Sequence, residues 1–283
     1  MEPGSLGGRV LGVLSALLLC LFGAGELATV SISSWPTATF QGNVKIAFPV
    51  VHSSSLVVMP GISAGAATME GMERMHDHHV RDLAVSALVS HPFDSTDGIS
   101  AMVGLSENAE AGVLGVQALQ PSLYVGWRHA DAPGSSYGAG VSLSNSATGS
   151  SVTAILTWEH RLSPTMHISS VLPAWIGFSW TPVPTWNVGV RQMALGGSWL
   201  LDSSRSLQCA QVSLDLFARR RLGMVALEAS AGWMYLDMVK YVENDRSAIT
   251  IYGYDVFSSL RSRSLPNRMG GIFRFSVLFP AGE

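Results

Sequence analysis

The densest set of chemically capable side chains lies at residues 69–79, Met-Glu-Gly-Met-Glu-Arg-Met-His-Asp-His-His. Thioethers and imidazoles are soft and borderline metal ligands, so Met69, Met72 and Met75 with His76, His78 and His79 have the composition of a Cu or Zn site. A solvated polar loop has the same composition. Nothing elsewhere in the chain completes a fixed coordination pattern, so the expectation is a loop, with no metal and no cofactor.

Other pairs invite acid–base chemistry. His160 stands beside Glu159, and His129 is two residues from Asp131. An imidazole held by a carboxylate can move protons, but the same pairs serve as ordinary polar residues of a rim or lumen. Arg219-Arg220-Arg221 could grip a lipid phosphate or simply end a strand in water. A His-Glu-x-x-His helix and a phosphate-binding Gly-rich loop followed by Lys are both absent. No enzyme is expected.

These residues have to be positioned by an unusual scaffold. Charged residues make up 13% of the 283-residue chain, where about 25% is typical. Lys45 and Lys240 are its two lysines, and hydrophobic residues reach 47%. A soluble β-sandwich of this length would cover itself with Lys and Glu, so part of the outside is expected to face something other than water. A net charge of -3 gives no basic footprint for nucleic acid.

Residues 1–25 read as an export signal: Arg9, an apolar run over 10–22, then Gly23-Ala24-Gly25 with small residues suited to cleavage after Gly25. Cys20 would suit a lipoprotein, but Leu19 before it is large where a small residue is wanted. Once the signal is removed, Cys209 is the remaining cysteine and no internal disulfide can form. The domain plan is therefore a signal at 1–25 and one β domain at 26–283.

Through that domain apolar and polar residues alternate, the period of a strand with two different faces. After a short polar lead, residues 37–48 place Phe40, Gly42, Val44, Ile46 and Phe48 on one face and Gln41, Asn43 and Lys45 on the other. Strands follow at 56–66, weakened by Pro60, then at 81–91 and 99–105. Residues 112–129 form one strand or two around Pro121. Further strands are expected at 137–144, 152–161, 166–180, 187–201, 210–219, 225–235 and 248–258. Asp215 and Glu228 sit inside otherwise apolar strands, costly toward lipid and cheap toward a wet interior. Trp180 and Trp186 bracket a turn, as an interfacial girdle requires.

The last strand, Gly270-Gly271-Ile272-Phe273-Arg274-Phe275-Ser276-Val277-Leu278-Phe279, sends Phe273, Phe275, Val277 and Phe279 to one face and Arg274 and Ser276 to the other. A closing strand with Gly, alternating aromatics and a near-terminal Phe resembles the C-terminal signal of bacterial outer-membrane β-barrel proteins. The resemblance implies that Gly271, Phe273, Phe275, Val277 and Phe279 form an assembly signal read by the barrel-assembly machinery, in contact with outer-membrane lipid. Four residues follow Phe279, where that family usually stops at the aromatic. A looser resemblance is to the outer-membrane protein W family, which passes small hydrophobic molecules through eight strands.

The expected fold is all-β, a closed antiparallel transmembrane β-barrel of about 12 strands, within a range of 8 to 14. Gln41, Lys45, Glu159, Asp215, Glu228 and Arg274 are expected to line its lumen. Two functions are open. One is a passive channel for small solutes or small lipophilic molecules; the other is a surface-exposed structural or adhesive barrel with a filled interior.

Overall fold

In a computed structural model, the described residues are 27–35, 38–47, 51–53, 56–69, 77–113, 115–146, 148–243, 249–251, 254–255, 262–264 and 268–279. The proposed signal at 1–25 lies outside them. Fourteen strands form the wall: β1 Leu27–Trp35, β2 Ala38–Ala47, β3 Leu56–Met69, β4 His78–Pro92, β5 Asp97–Glu110, β6 Leu119–Ala132, β7 Ser135–Ser146, β8 Gly149–Ser163, β9 Met166–Leu172, β10 Trp175–Val183, β11 Trp186–Leu200, β12 Arg205–Leu222, β13 Val225–Glu243 and β14 Gly270–Phe279. Each pairs antiparallel with its sequence neighbours, and β14 also pairs with β1, which closes the cylinder. Closure leaves no strand edge along that seam.

The count is two above the expected twelve and inside the expected range. Against the thirteen strand segments read along the sequence, two strands are gained and one is lost, which gives fourteen. Residues 27–35, read as a polar lead, are β1: Ile32 lies opposite Phe275 on the outside, while Ser33 faces inward beside Arg274's position. Small serines on the wet row hid the alternation. Residues 166–180, read as one strand, are the hairpin β9–β10, because Pro173 cannot donate to a ladder and the chain reverses at 173–174. Residues 248–258 add no barrel strand among those described: Ile249–Ile251 runs parallel to the start of β8, whereas the wall is antiparallel. Pro60 falls between the ladder ending at Ala47↔Gly61 and the separate pairing of Val51–Ser53 with β3. It sits where one side needs no N–H, as expected.

Alternation decides the two faces. Leu83, Val85, Val103, Leu123, Val141, Leu216 and Phe273 all point out and are exposed. Gln41, Asn43, Tyr124, Glu159, Ser213, Asp215 and Arg274 occupy the opposite rows. An apolar outside around a polar inside is the arrangement a bilayer demands and water does not. Trp127, Tyr137, Trp158, Trp180 and Trp186 form an outward aromatic level near one end, and Trp127 Nε1 donates to Asp97 Oδ1 at 2.9 Å. This is a closed antiparallel β-barrel whose two faces are those of a transmembrane wall.

The ends of the barrel differ. One carries the tight reversals at 133–134, 164–165, 184–185 and 223–224, together with the start of β1 and the end of β14. Gly134 and Gly223 adopt φ of 81° and 64° there, the left-handed backbone that two-residue hairpins need. The other end carries the connections 70–77, 111–118 and, longest of all, 244–269, while the connection 48–55 lies at the first end. The β9–β10 hairpin, of 7 and 9 residues, stops well short of that end, while β12 and β13 run 18 and 19 residues.

Candidate functional site

The lumen is built from the inward rows, and its most ordered part is a chain of alternating charges on β11 to β14. Arg274 on β14 donates to the Asp215 carboxylate on β12 and, at 3.2 Å, to Ser213 Oγ. Arg191 on β11 lies 3.8 Å from Asp215 and 2.8 Å from Glu228 on β13. Arg219 then closes on Glu228 through Nε at 2.9 Å and Nη2 at 2.6 Å. Asp215 is fully buried. Three guanidiniums thus share two carboxylates, leaving one net positive charge along this wall. Arg191 also stacks over Phe217, 5.0 Å from its ring centre, and donates to Ser230 Oγ at 3.3 Å.

Inward glycines make room for side chains on neighbouring strands, at this chain and elsewhere on the wall. A Cβ at Gly232 would stand 2.9 Å from Asp215 Oδ1 and 2.1 Å from the Leu214 carbonyl. The Tyr124 ring lies flat across β7, where a Cβ on Gly140 would meet its Cε2 at 2.6 Å.

Among the described residues, two chambers stand out between the walls. The larger, about 440 Å³, is bounded by Tyr124, Arg128, Ser136, Glu159, His167 and Trp175 among others. Glu159 accepts from Arg128 Nη2 at 3.2 Å and pairs with His167 Nε2 at 3.1 Å. The smaller, about 290 Å³, is bounded by Gln41, Asn43, Asp82, Asn108, Trp199 and Gln211 among others.

At the end with longer connections the walls touch. Leu200 on β11 bridges to Ala109 on β5, and these two bury Ala118 between them, with Val113 against the cluster. Gln120 Nε2 donates to Ser198 O at 2.8 Å, and Gln208 Nε2 to Thr148 Oγ1 at 2.8 Å. Met69, Val80, Trp199, Leu207, Met234 and Ile272 belong to one buried apolar cluster beside them. The lumen is pinched here among the described residues.

The expected lining residues therefore occupy different settings. Gln41 and Lys45 share the inward row of β2; Ser33 Oγ donates to Gln41 Oε1 at 3.3 Å, and Lys45 is exposed. Glu159 faces the larger chamber. Asp215, Glu228 and Arg274 come together in the ion-pair chain. Phe273 and Phe275 are exposed on the outward row of β14 with Gly271, Val277 and Phe279.

The segment 69–79 divides. Met72, Met75 and His76 lie outside the described residues. Met69 belongs to the apolar cluster. His78 Nδ1 meets Glu110 Oε1 at 2.9 Å and its Nε2 meets Tyr241 Oη at 2.8 Å, while His79 Nδ1 pairs with Thr68 Oγ1 at 3.2 Å. Among the described residues no three His, Cys, Asp or Glu groups gather as a metal site.

The acid–base pairs separate as well. His129 turns to Asp97, at 3.1 Å. His160 pairs with Ser135 at 2.9 Å, on the opposite face of β8 from Glu159. Gly61-Ile62-Ser63-Ala64-Gly65 carries the spacing of a nucleophile elbow, but it lies within the regular ladder of β3, not at the strand-to-helix turn that exposes such a serine. Of the arginine triplet, Arg219 points in, and Arg220 points out over the Trp186 ring at 5.5 Å.

Sequence reasoning did not single out Arg191, Arg128, His167, Asn108 or Trp199. Parity was the available signal: each falls on its strand's inward row.

No protein-family model matches this chain, and no curated protein matches it either. Among solved structures it is similar to the β domain of the Bordetella autotransporter BrkA, with 7% identity, 90% of this chain and 98% of that chain covered, and a TM-score of 0.32. It is also similar to the Pseudomonas putida toluene transporter TodX, with 10% identity, coverage of 90% and 89%, and a TM-score of 0.35.

Proposed function

We propose that this barrel is a small-solute passage of the outer membrane, pinched shut at one end in the conformation described. The observation that carries this reading is the interior itself. A structural barrel can fill its lumen with packed side chains, whereas here chambers of about 440 and 290 Å³ persist between the walls, lined by amides, carboxylates and hydroxyls together with aromatic and aliphatic side chains. Polar surface kept away from water costs free energy unless water or solute occupies it. Outer-membrane barrels carry short periplasmic turns and longer outer loops, so the pinched end with the longer connections faces outward.

The touching walls favour a second reading, a structural or adhesive barrel that presents those connections. Conductance of the refolded mature chain in a planar lipid bilayer separates them. Passage requires discrete, reproducible steps broken by long closures, with selectivity altered by Lys45→Glu and Glu159→Gln. A barrel that inserts folded and stays silent supports the structural reading.

A further inference from the structure

Strand parity divides the arginine triplet at the end of β12. Arg219 and Arg221 fall on one row and Arg220 on the other. Arg219 turns inward and is taken by Glu228. Arg220 continues the outward row of Leu214, Leu216 and Ala218, and it is exposed. It stands about 13 Å along the strand from Leu216, toward the short reversals.

Its setting differs from that of the inward guanidiniums. Arg191, Arg219 and Arg274 each meet a carboxylate. Among the described residues the Arg220 side chain meets none, and its contact is with the face of Trp186, 5.5 Å from the ring centre. Trp186 is the residue opposite it on β11, and Leu227 is opposite it on β13. An indole face therefore orients the guanidinium from one side and an aliphatic side chain flanks it on the other. The guanidinium N–H groups donate to no described residue.

A full positive charge on the lipid-facing row restricts what can neutralise it. Near the bilayer midplane an outward arginine is costly, and near the interface it is almost free. Arg220 is at the interface level, because Trp180 and Trp186 are exposed on the outward rows beside it and the reversals 184–185 and 223–224 end the wall just beyond. Acyl chains offer this charge nothing, and water offers it no fixed geometry. A phospholipid phosphate supplies an anion with paired oxygens, which a planar guanidinium grips bidentately where an ammonium makes a point contact. The acyl chains of such a lipid would run along Val188, Val190 and Leu216, which adjoin on the outward rows of β11 and β12.

We propose that Arg220 and Trp186 bind the phosphate of one phospholipid in the leaflet that meets the short reversals. The site lies outside the lumen, so it goes beyond the passage reading and stands whether or not the barrel conducts.

Native mass spectrometry of the refolded barrel in an uncharged detergent tests it. The probes are dioctanoyl-phosphatidylglycerol, dioctanoyl-phosphatidylethanolamine and dioctanoylglycerol, which share their chains and differ in the phosphate. One saturable adduct is expected with each phospholipid and none with dioctanoylglycerol. Arg220→Gln should weaken the adduct about 10-fold or more, because charge-assisted hydrogen bonds are lost. Arg220→Lys should recover part of the affinity, and Trp186→Leu should lower it about 3-fold. Arg161→Gln removes the same charge from an exposed residue near the end of β8 and should bind as the parent does.

Arg220 is exposed, so its variants should keep heat-modifiable migration even where Trp186→Leu does not. Equal binding of dioctanoylglycerol overturns the proposal, as does unchanged affinity in folded Arg220→Gln. An equal loss in Arg220→Gln and Arg161→Gln also overturns it, since net charge alone would then hold the lipid. Displacement of the phospholipid by equimolar inorganic phosphate would assign the site to the free ion and overturns the lipid as its occupant.

Discussion

Arg274 on β14 meets the Asp215 carboxylate on β12 over the bare backbone of Gly232 on the strand between them. The contact spans 59 residues of sequence, and it exists because the middle strand carries no side chain at that height. Asp215→Ala leaves two guanidiniums without that carboxylate in a buried setting. Removing one partner of a buried pair costs about 3–5 kcal/mol, and urea unfolding in detergent should show a loss of that order. Gly232→Val should produce a comparable loss by displacing Asp215. Stability within about 1 kcal/mol of the parent in both variants would contradict the buried ion-pair chain.

The outward row makes an independent prediction. Leu216 is 68% exposed and sits well inside β12. If that row meets hydrocarbon, Leu216→Arg should cost about 2–4 kcal/mol in a bilayer. A soluble wall would tolerate the same change, so unaltered folding into vesicles would count against the lipid-facing assignment.

The pinch should be lockable. Leu200 and Ala109 are bridge partners where β11 and β5 meet, and they share one buried cluster, so a disulfide between cysteines at these positions would clamp the pinch. Leu200→Cys with Ala109→Cys, built on Cys209→Ser, should conduct only after reduction. Equal conductance with and without reductant would show that solute does not pass this point.

Asp202, in the reversal between β11 and β12, gives a pH test outside the membrane. Partial burial raises its pKa, but hydrogen bonds from the Ser204 hydroxyl and N–H and from the Arg205 guanidinium outweigh it and bring the group to about 2. Arg205 Nη2 lies 2.7 Å from Asp202 Oδ2. A folded pKa below the unfolded one contributes stability above the unfolded value, lost as pH falls from about 4 toward 2. The site is well solvated, so the contribution is at most about 1 kcal/mol. Asp202→Asn should abolish that fraction of the acid sensitivity, and parallel urea midpoints for parent and variant across this range would contradict it.

Much of the architecture was legible in the residues themselves. Strand alternation is local, so Phe273 and Phe275 could be set outside and Arg274 inside from β14 alone. The scarcity of lysine pointed to a wall that is not solvated, and Pro60 was read as the weak point of its strand, where the ladder to one neighbour breaks while Ala87 stays opposite on the other side. By contrast, β1 was hidden because serine serves a wet row as well as a loop, and β9–β10 merged because a proline between two strand-like runs resembles a bulge as much as a reversal.

By itself the sequence determined which face of each strand a residue occupies, because that depends only on the two-residue period of the backbone. Which residues of distant strands meet was decided only by tertiary structure. Strand register and closure of the whole ring bring Arg274 to Asp215, Leu200 to Ala109, and Trp199 to the chamber shared with Asn108. Those pairings depend on the relative heights of strands far apart in the chain, a quantity no local pattern of residues contains.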